Sequence, residues 1–351
     1  MSKAAQAVTS FFSTLLKRRH PPGGHRPRAG TRPLACAAVA LAACTAGASA
    51  PAANWPDHPV YMVVPFVAGG ATDNIGRALA MRLGAIWKQS VVVVNKPGAA
   101  GMIGAEYVAR ADPDGYTLLL ASGSMFTVNP YIYTHMPYKL SDFAPISNVA
   151  TGPMVVAVRP SLPVKTLQQL IDYAKQHPGK VNFGSAGVGS QVHMAAEKLA
   201  AAANLNVMHV PYKGEAAAYA DLMAGHIDFV VGNIAALAPL VASGRIRALA
   251  VTGEHRAKML PDVPTVAEAG YPQIQVHGWF GLLAPAKTPP ALVQAIQRDV
   301  AKALANPDTV RNLEAQGSTP APTSPQQLTQ LIKTESVMWS KVVHDRKLKA
   351  N

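Results

Sequence analysis

Cysteine is almost absent from this chain: Cys36 and Cys44 are the only two in 351 residues, and both fall among the first fifty. The remainder can form no disulfide and offers no thiol nucleophile, so an oxidising compartment would leave it unchanged. Acidic residues are missing from the same first fifty, where Lys3, Lys17, Arg18, Arg19, Arg26, Arg28 and Arg32 stand unopposed. Much of the +13 formal charge therefore sits at one end. Beyond it, basic and acidic residues are interspersed with no basic stripe and no interleaved aromatics, which argues against a nucleic-acid surface. Nucleotide and hydrolase signatures are lacking too: there is no G-x-G-x-x-G, no P-loop G-K-[ST], no G-x-S-x-G and no H-E-x-x-H. The eleven histidines are scattered, so no metal-ligand spacing emerges and no cofactor is expected.

What is present is the composition of a globular protein, 49% apolar and 15% charged, in a chain long enough for two packed domains. Residues 1–50 read as an export signal and disordered leader: a basic stretch, the apolar run Leu34 to Ala46, then Ala48-Ser49-Ala50. That run is shorter than the roughly 20 residues a membrane span needs. Cleavage after Ala50 is expected, which places the mature chain in the periplasm. Leu41-Ala42-Ala43-Cys44 resembles a lipobox and offers the alternative of a lipid anchor at Cys44.

After the leader, short apolar runs alternate with segments of helical spacing. The strand-like runs are Val60 to Phe66, Val91 to Asn95, Tyr116 to Ala121, Met154 to Val158, Val181 to Ser185, Val207 to Val210, Ile227 to Val231, Ile246 to Thr252 and Val276 to Leu283. Ile75, Leu79 and Leu83 mark one intervening helix. This rhythm predicts an α/β fold with parallel sheets covered on both faces, and ligand sites at the carboxyl ends of the strands. Trp87, Trp279 and Trp339 sit in apolar contexts and are expected in the core.

Three strand-like runs break into glycine-rich turns that open helices: PFVAGGATD from Pro65, NKPGAAGMIG from Asn95 and FGSAGVGSQVH from Phe183. The first N–H groups of such a helix are unpaired and lie at the positive end of its dipole, which suits an anion. Ser122 and Ser124 follow another strand and can donate to a ligand oxygen or cap the next turn. Asp73 is placed to cap a helix or brace a loop. Ser190 and His193, three apart, could share a helix face; as a nucleophile pair they lack an orienting acid, so a ligand-contacting or structural His193 is favoured. Tyr212, Lys213 and Gly214 follow a further strand, with Lys213 able to supply a full positive charge and Asn233 a polar contact.

Taken in order, these segments resemble the Bug family of extracytoplasmic solute-binding receptors of tripartite tricarboxylate transporters. The resemblance covers about Trp55 to Val342, through PFVAGGATDNIGR, VVNKPGAAGMIGAEYVARADPDGYTLL, PGKVNFGSAGVGSQVHM, VPYKGEAAAYADLMAGHIDFV and GRIRALAVTGEHRAKMLPDVPTVAEAGYP. It implies a periplasmic-binding-protein-like fold, two α/β domains joined by crossing hinge strands, with residues 51–153 and 278–351 in one and 154–277 in the other. It implies a non-enzymatic receptor whose first domain holds the ligand's proximal carboxylate through Phe66, Ala68, Gly69, Gly70, Thr72, Asp73, Ser122 and Ser124. Ser185, Ala186, Ser190, His193, Tyr212, Lys213 and Gly214 would face the distal end. The expected partners are a small organic acid and either the permease subunits of such a transporter or a sensor kinase, with the receptor itself a monomer. An exported serine hydrolase using Ser190 and His193 is the enzymatic alternative.

Overall fold

The computed structural model describes residues 55–350; the export signal, the Ala50 cleavage point and Cys44 lie outside the described residues. Along the chain the elements are β1 (Val60–Val64), α1 (Ala71–Trp87), β2 (Val91–Asn95), α2 (Met102–Ala109), β3 (Thr117–Ser122), α3 (Ser124–Thr127) and α4 (Asn129–Ile132). Then come β4 (Phe143–Val158), α5 (Leu167–Gln176), β5 (Asn182–Ser185), α6 (Gln191–Ala202), β6 (Met208–Pro211), α7 (Glu215–Ala224), β7 (Phe229–Asn233), α8 (Ile234–Ala242) and β8 (Arg247–Val251). β9 (His277–Pro285), α9 (Pro290–Ala305), α10 (Pro307–Ala315), β10 (Thr319–Pro320) and α11 (Pro325–Asp345) complete it.

The strands make one curled sheet in the order β2-β1-β3-β9-β4-β7-β5-β6, with β8 and β10 also pairing with β4. Side chains alternate across it, as the two-residue period of a strand requires. In the first lobe Val60, Met62 and Val64 pack with Leu79 of α1 and Ile296 of α9, while Val63 and Leu119 face α2 and α11. In the second, Val156 and Phe183 pack with Leu170 of α5 and Leu199 of α6, while Val155 and Val230 face Leu222 of α7 and Leu237 of α8. Trp87, Trp279 and Trp339 are all buried.

The expectation of purely parallel sheets needs correction. β1, β2 and β3 are parallel, as are β5, β6 and β7. β4, however, runs antiparallel to β7, β8 and β9. It is the strand that joins the lobes: Phe143 to Pro153 pair with β9 and Met154 to Val158 with β7. A second crossing lies beside it, where the buried Thr252 donates through Oγ1 to the Val276 carbonyl (2.6 Å) and accepts from the Met154 N–H (2.9 Å). α11 starts with a reciprocal cap between Ser324 and Gln327. Its Leu328 and Ile332 enter the first lobe's core, and its Trp339 and Val343 the second's.

Candidate functional site

Parallel strands put all their carboxyl ends on one side, so the turns that follow them gather there. In the first lobe the β1, β2 and β3 turns come together; in the second, those of β5, β6 and β7. The two sets meet. Asn129 of α4 donates to the Ala100 carbonyl (3.1 Å) in the second glycine turn, and the Tyr133 hydroxyl reaches the Val188 carbonyl (3.4 Å) in the third.

The first turn presents α1 through Gly70, which caps the helix without a side-chain bond. Phe66 is half-buried, Ala68 and Gly69 are exposed, and Thr72 and Asp73 are buried beneath them. Asp73 is fully engaged: Oδ2 accepts from Gly69 N–H and Arg77 Nε, both at 2.9 Å, and Oδ1 from Asn95 Nδ2 at 2.9 Å. Burial raises its pKa, but the bonds from Arg77, Gly69 and Asn95 outweigh that and hold it below the ordinary carboxylate value. Its charge therefore braces the loop from behind and is neutralised there. At the end of β3, the hydroxyls of Ser122 and Ser124 lie 3.3 Å apart, and Gly123 N–H between them donates to the Trp279 carbonyl (3.0 Å). A Cβ on Gly123 would come within 2.4 Å of the Trp279 indole, so glycine is needed there for space.

The second lobe turns most of its polar side chains inward. Ser185 Oγ lies 2.6 Å from His209 Nε2 and accepts from Gly187 N–H (3.1 Å), while Ala186 packs on the core. Ser190 caps α6, accepting from His193 N–H (3.2 Å) and donating to the Gly187 carbonyl (2.8 Å). His193 is 1% exposed; its Nδ1 accepts from Gly189 N–H (3.2 Å) and its ring lies 3.9 Å from that of His209. Burial, with His209 adding to it, drives the His193 pKa well below the imidazole value. The ring stays neutral with its proton on Nε2, toward Glu197 Oε1 at 3.7 Å. The Ser190 hydroxyl thus bonds the backbone of His193 and not its ring. The Tyr212 hydroxyl donates to Asp221 (2.6 Å). Asn233 donates to Glu215 Oε1 (2.6 Å), and Tyr219 donates to the same carboxylate. Lys213 is exposed, and Gly214 opens α7 at φ +151°, a conformation that favours glycine.

The two lobes therefore bring to these turns the N-termini of α1, α6, α7 and α8, the exposed Lys213 and the adjacent hydroxyls of Ser122 and Ser124, which are themselves buried. Asn95, His209, Glu215, Tyr219, Gln191 and Trp279 support this surface and were not singled out from sequence as site residues. Asn95 at a strand end and Glu215 at a helix start gave a local signal, and Tyr219 stands four residues from Glu215 on the same helix; His209, Gln191 and Trp279 act through partners distant in sequence.

A family model described as the tripartite tricarboxylate transporter family receptor matches residues 75–348. The chain is 36% identical to Rpa4515 of R. palustris, solved with adipate, at a TM-score of 0.77 covering 83% of this chain and 97% of that one. Against the periplasmic binding protein BugD the identity is 33% and the TM-score 0.77, over 85% of this chain and 100% of the other. MatC from Rhodopseudomonas palustris, with bound malate, is 30% identical at a TM-score of 0.75, over 82% and 99%.

Proposed function

Because the chain belongs to the tripartite tricarboxylate transporter family of receptors, we propose that it captures a small organic carboxylate between its lobes and hands it, unaltered, to membrane transport subunits. The carrying observation is the pairing of helix N-termini with spent acids. α1 and α7 both start at a glycine with no side-chain cap on their first N–H groups, while Asp73 and Glu215 beside them are occupied by internal partners. An anion at these turns meets donors and a favourable dipole without an opposing free carboxylate. Ser122 and Ser124 add hydroxyls for one end of the ligand and Lys213 a charge for the other. Asp73, Ser185, Ser190, His193, Tyr212 and Asn233 are assigned to shaping the turns, with Phe66, Ala68, Gly69, Gly70, Thr72, Ala186 and Gly214 forming the walls.

Support for the ligand class comes from two relatives, one bound to adipate and one to malate. BugD works in the periplasm, and we place this chain there too. The lobes are assigned as 51–153 with 278–351, and 154–277, closing about β4 and the Thr252 crossing. Closure is favoured only by contacts the ligand makes better in the closed form, and the membrane partner reads that form. Calorimetry with mono- and dicarboxylates, adipate and malate included, should give saturable one-to-one binding. Absence of heat and of any melting shift across the panel overturns the proposal. Receptor incubated with membranes carrying its permease should be retained more strongly when ligand is present; equal retention removes the transport step.

A further inference from the structure

The carbonyl oxygen of Trp279 has two lone pairs, and the loops of both lobes use them. Gly123 N–H donates to it at 3.0 Å from the turn after β3 in the first lobe. Gln191 Nε2 donates to it at 2.8 Å from the second lobe. Gln191 is the first residue of α6, directly after the glycine turn that Ser185, Ser190 and His193 shape. One peptide group of β9 thus touches both halves of the site.

The junction is closely fitted. A Cβ on Gly278 would sit 2.5 Å from Gln191 Oε1 and 3.2 Å from Met154 Cε, both ends of flexible side chains, so the missing side chain of Gly278 is the room that the glutamine amide occupies. Beside it is a cavity of about 10 Å³, lined by Ser124 and Gln191 among others, space for about one water. The Trp279 indole is fixed from the other side, donating through Nε1 to Glu335 of α11 at 2.7 Å. The acceptor is thereby held still while two loops converge on it.

We propose that Gln191 is a positioning residue: by sharing the Trp279 carbonyl with Gly123, its side-chain amide sets the second lobe's glycine turn in register with the first lobe's hydroxyl loop. Through that register it controls the affinity of the closed site. This inference rests on the binding reading above.

The test compares Gln191→Ala, Gly278→Ala, their combination and Gln191→Glu, using calorimetry with adipate and malate and X-ray scattering of ligand-free protein. Each alanine variant should raise Kd by about two- to tenfold, the loss of one hydrogen bond. The double variant should be no weaker than the weaker single, because both changes break the same contact. Gln191→Glu keeps the size but loses the donor, and should bind at least as weakly as Gln191→Ala. A purely structural role lowers the melting temperature without moving Kd, and that result overturns the proposal, as does a double variant whose effects multiply. Wild-type protein that binds neither acid counts against the binding reading alone. Scattering then decides: a larger radius of gyration in both alanine variants upholds the tether, and an unchanged one overturns it.

Discussion

A buried carboxylate beside an anion site is an electrostatic obstacle unless something else neutralises it. Asp73 is 1% exposed and meets Arg77, Asn95 and Gly69 N–H, so its field is turned away from the cleft. Asp73→Asn loses the charge-assisted bonds and should cost about 1–3 kcal/mol of stability by urea unfolding. Its folded pKa is depressed, so this contribution is present at neutral pH and disappears as acid protonates the group below its ordinary value of 3.8. Gly123→Ala tests the opposite kind of constraint. Its backbone is ordinary helical (φ −53°), so the penalty comes from driving a methyl into the Trp279 indole. Overpacking of that kind costs about 1–3 kcal/mol, and displacement of the Ser122 and Ser124 hydroxyls should weaken carboxylate binding in calorimetry. Sequence pattern located these loops, because a strand that ends in glycine and opens a helix is a local signal. The direction of each side chain was not legible in the same way. Ser185 and His209, or Gly123 and Trp279, become neighbours only through sheet pairing, which no local spacing encodes.

At the scale of elements, the alternation of apolar runs and helical spacing locates the strands and helices and shows the α/β class. The segment Phe143–Pro153 escaped because Pro145, Ser147, Asn148 and Pro153 interrupt any period-two pattern. In the sheet Pro145, Ser147 and Asn148 fall at the register shifts, where a proline can be accommodated, and the two polar residues are buried there against Thr323. Missing that stretch hid the antiparallel centre and left only parallel units visible. The family resemblance to Bug receptors supplied what periodicity could not, since it carried the crossing strands and the two lobes with it. α11 has a role that its amphipathic pattern only half declares. Its early turns belong to one core and its late turns to the other, with Arg346 beyond its end pairing with Glu197 at 2.7 Å. Trp339→Ala removes a side chain that is 5% exposed from the second core. The expected loss is about 3–5 kcal/mol by denaturant unfolding, larger than for either loop substitution. A loss below about 1 kcal/mol would mean that α11 merely rests on that lobe.

Over the whole molecule, buried acids and buried histidines pull the pH dependence of stability in opposite directions. His193, His209 and His277 are held below the ordinary imidazole value of 6.5 by burial first of all, His209 down to about 4. Below pH 6.5 the unfolded chain binds protons that these native rings refuse, so each costs stability as the pH falls. Glu197, Glu215 and Glu335 are raised above their ordinary value of 4.5, again chiefly by burial. The native state takes up their protons first, so each adds stability over the same descent. As the pH falls below 6.5 the two sets therefore act on stability in opposite directions. His209→Gln removes one opposing member while leaving the carboxyls in place. Its stability at pH 5, taken relative to its own value at pH 8, should exceed the wild-type difference by up to about 1.4 kcal/mol for each pH unit below 6.5. The loss of the Ser185 bond is common to both pH values and cancels in that comparison. Urea unfolding at the two pH values measures the difference, and parallel behaviour of variant and wild type would show that His209 is not held neutral by the fold.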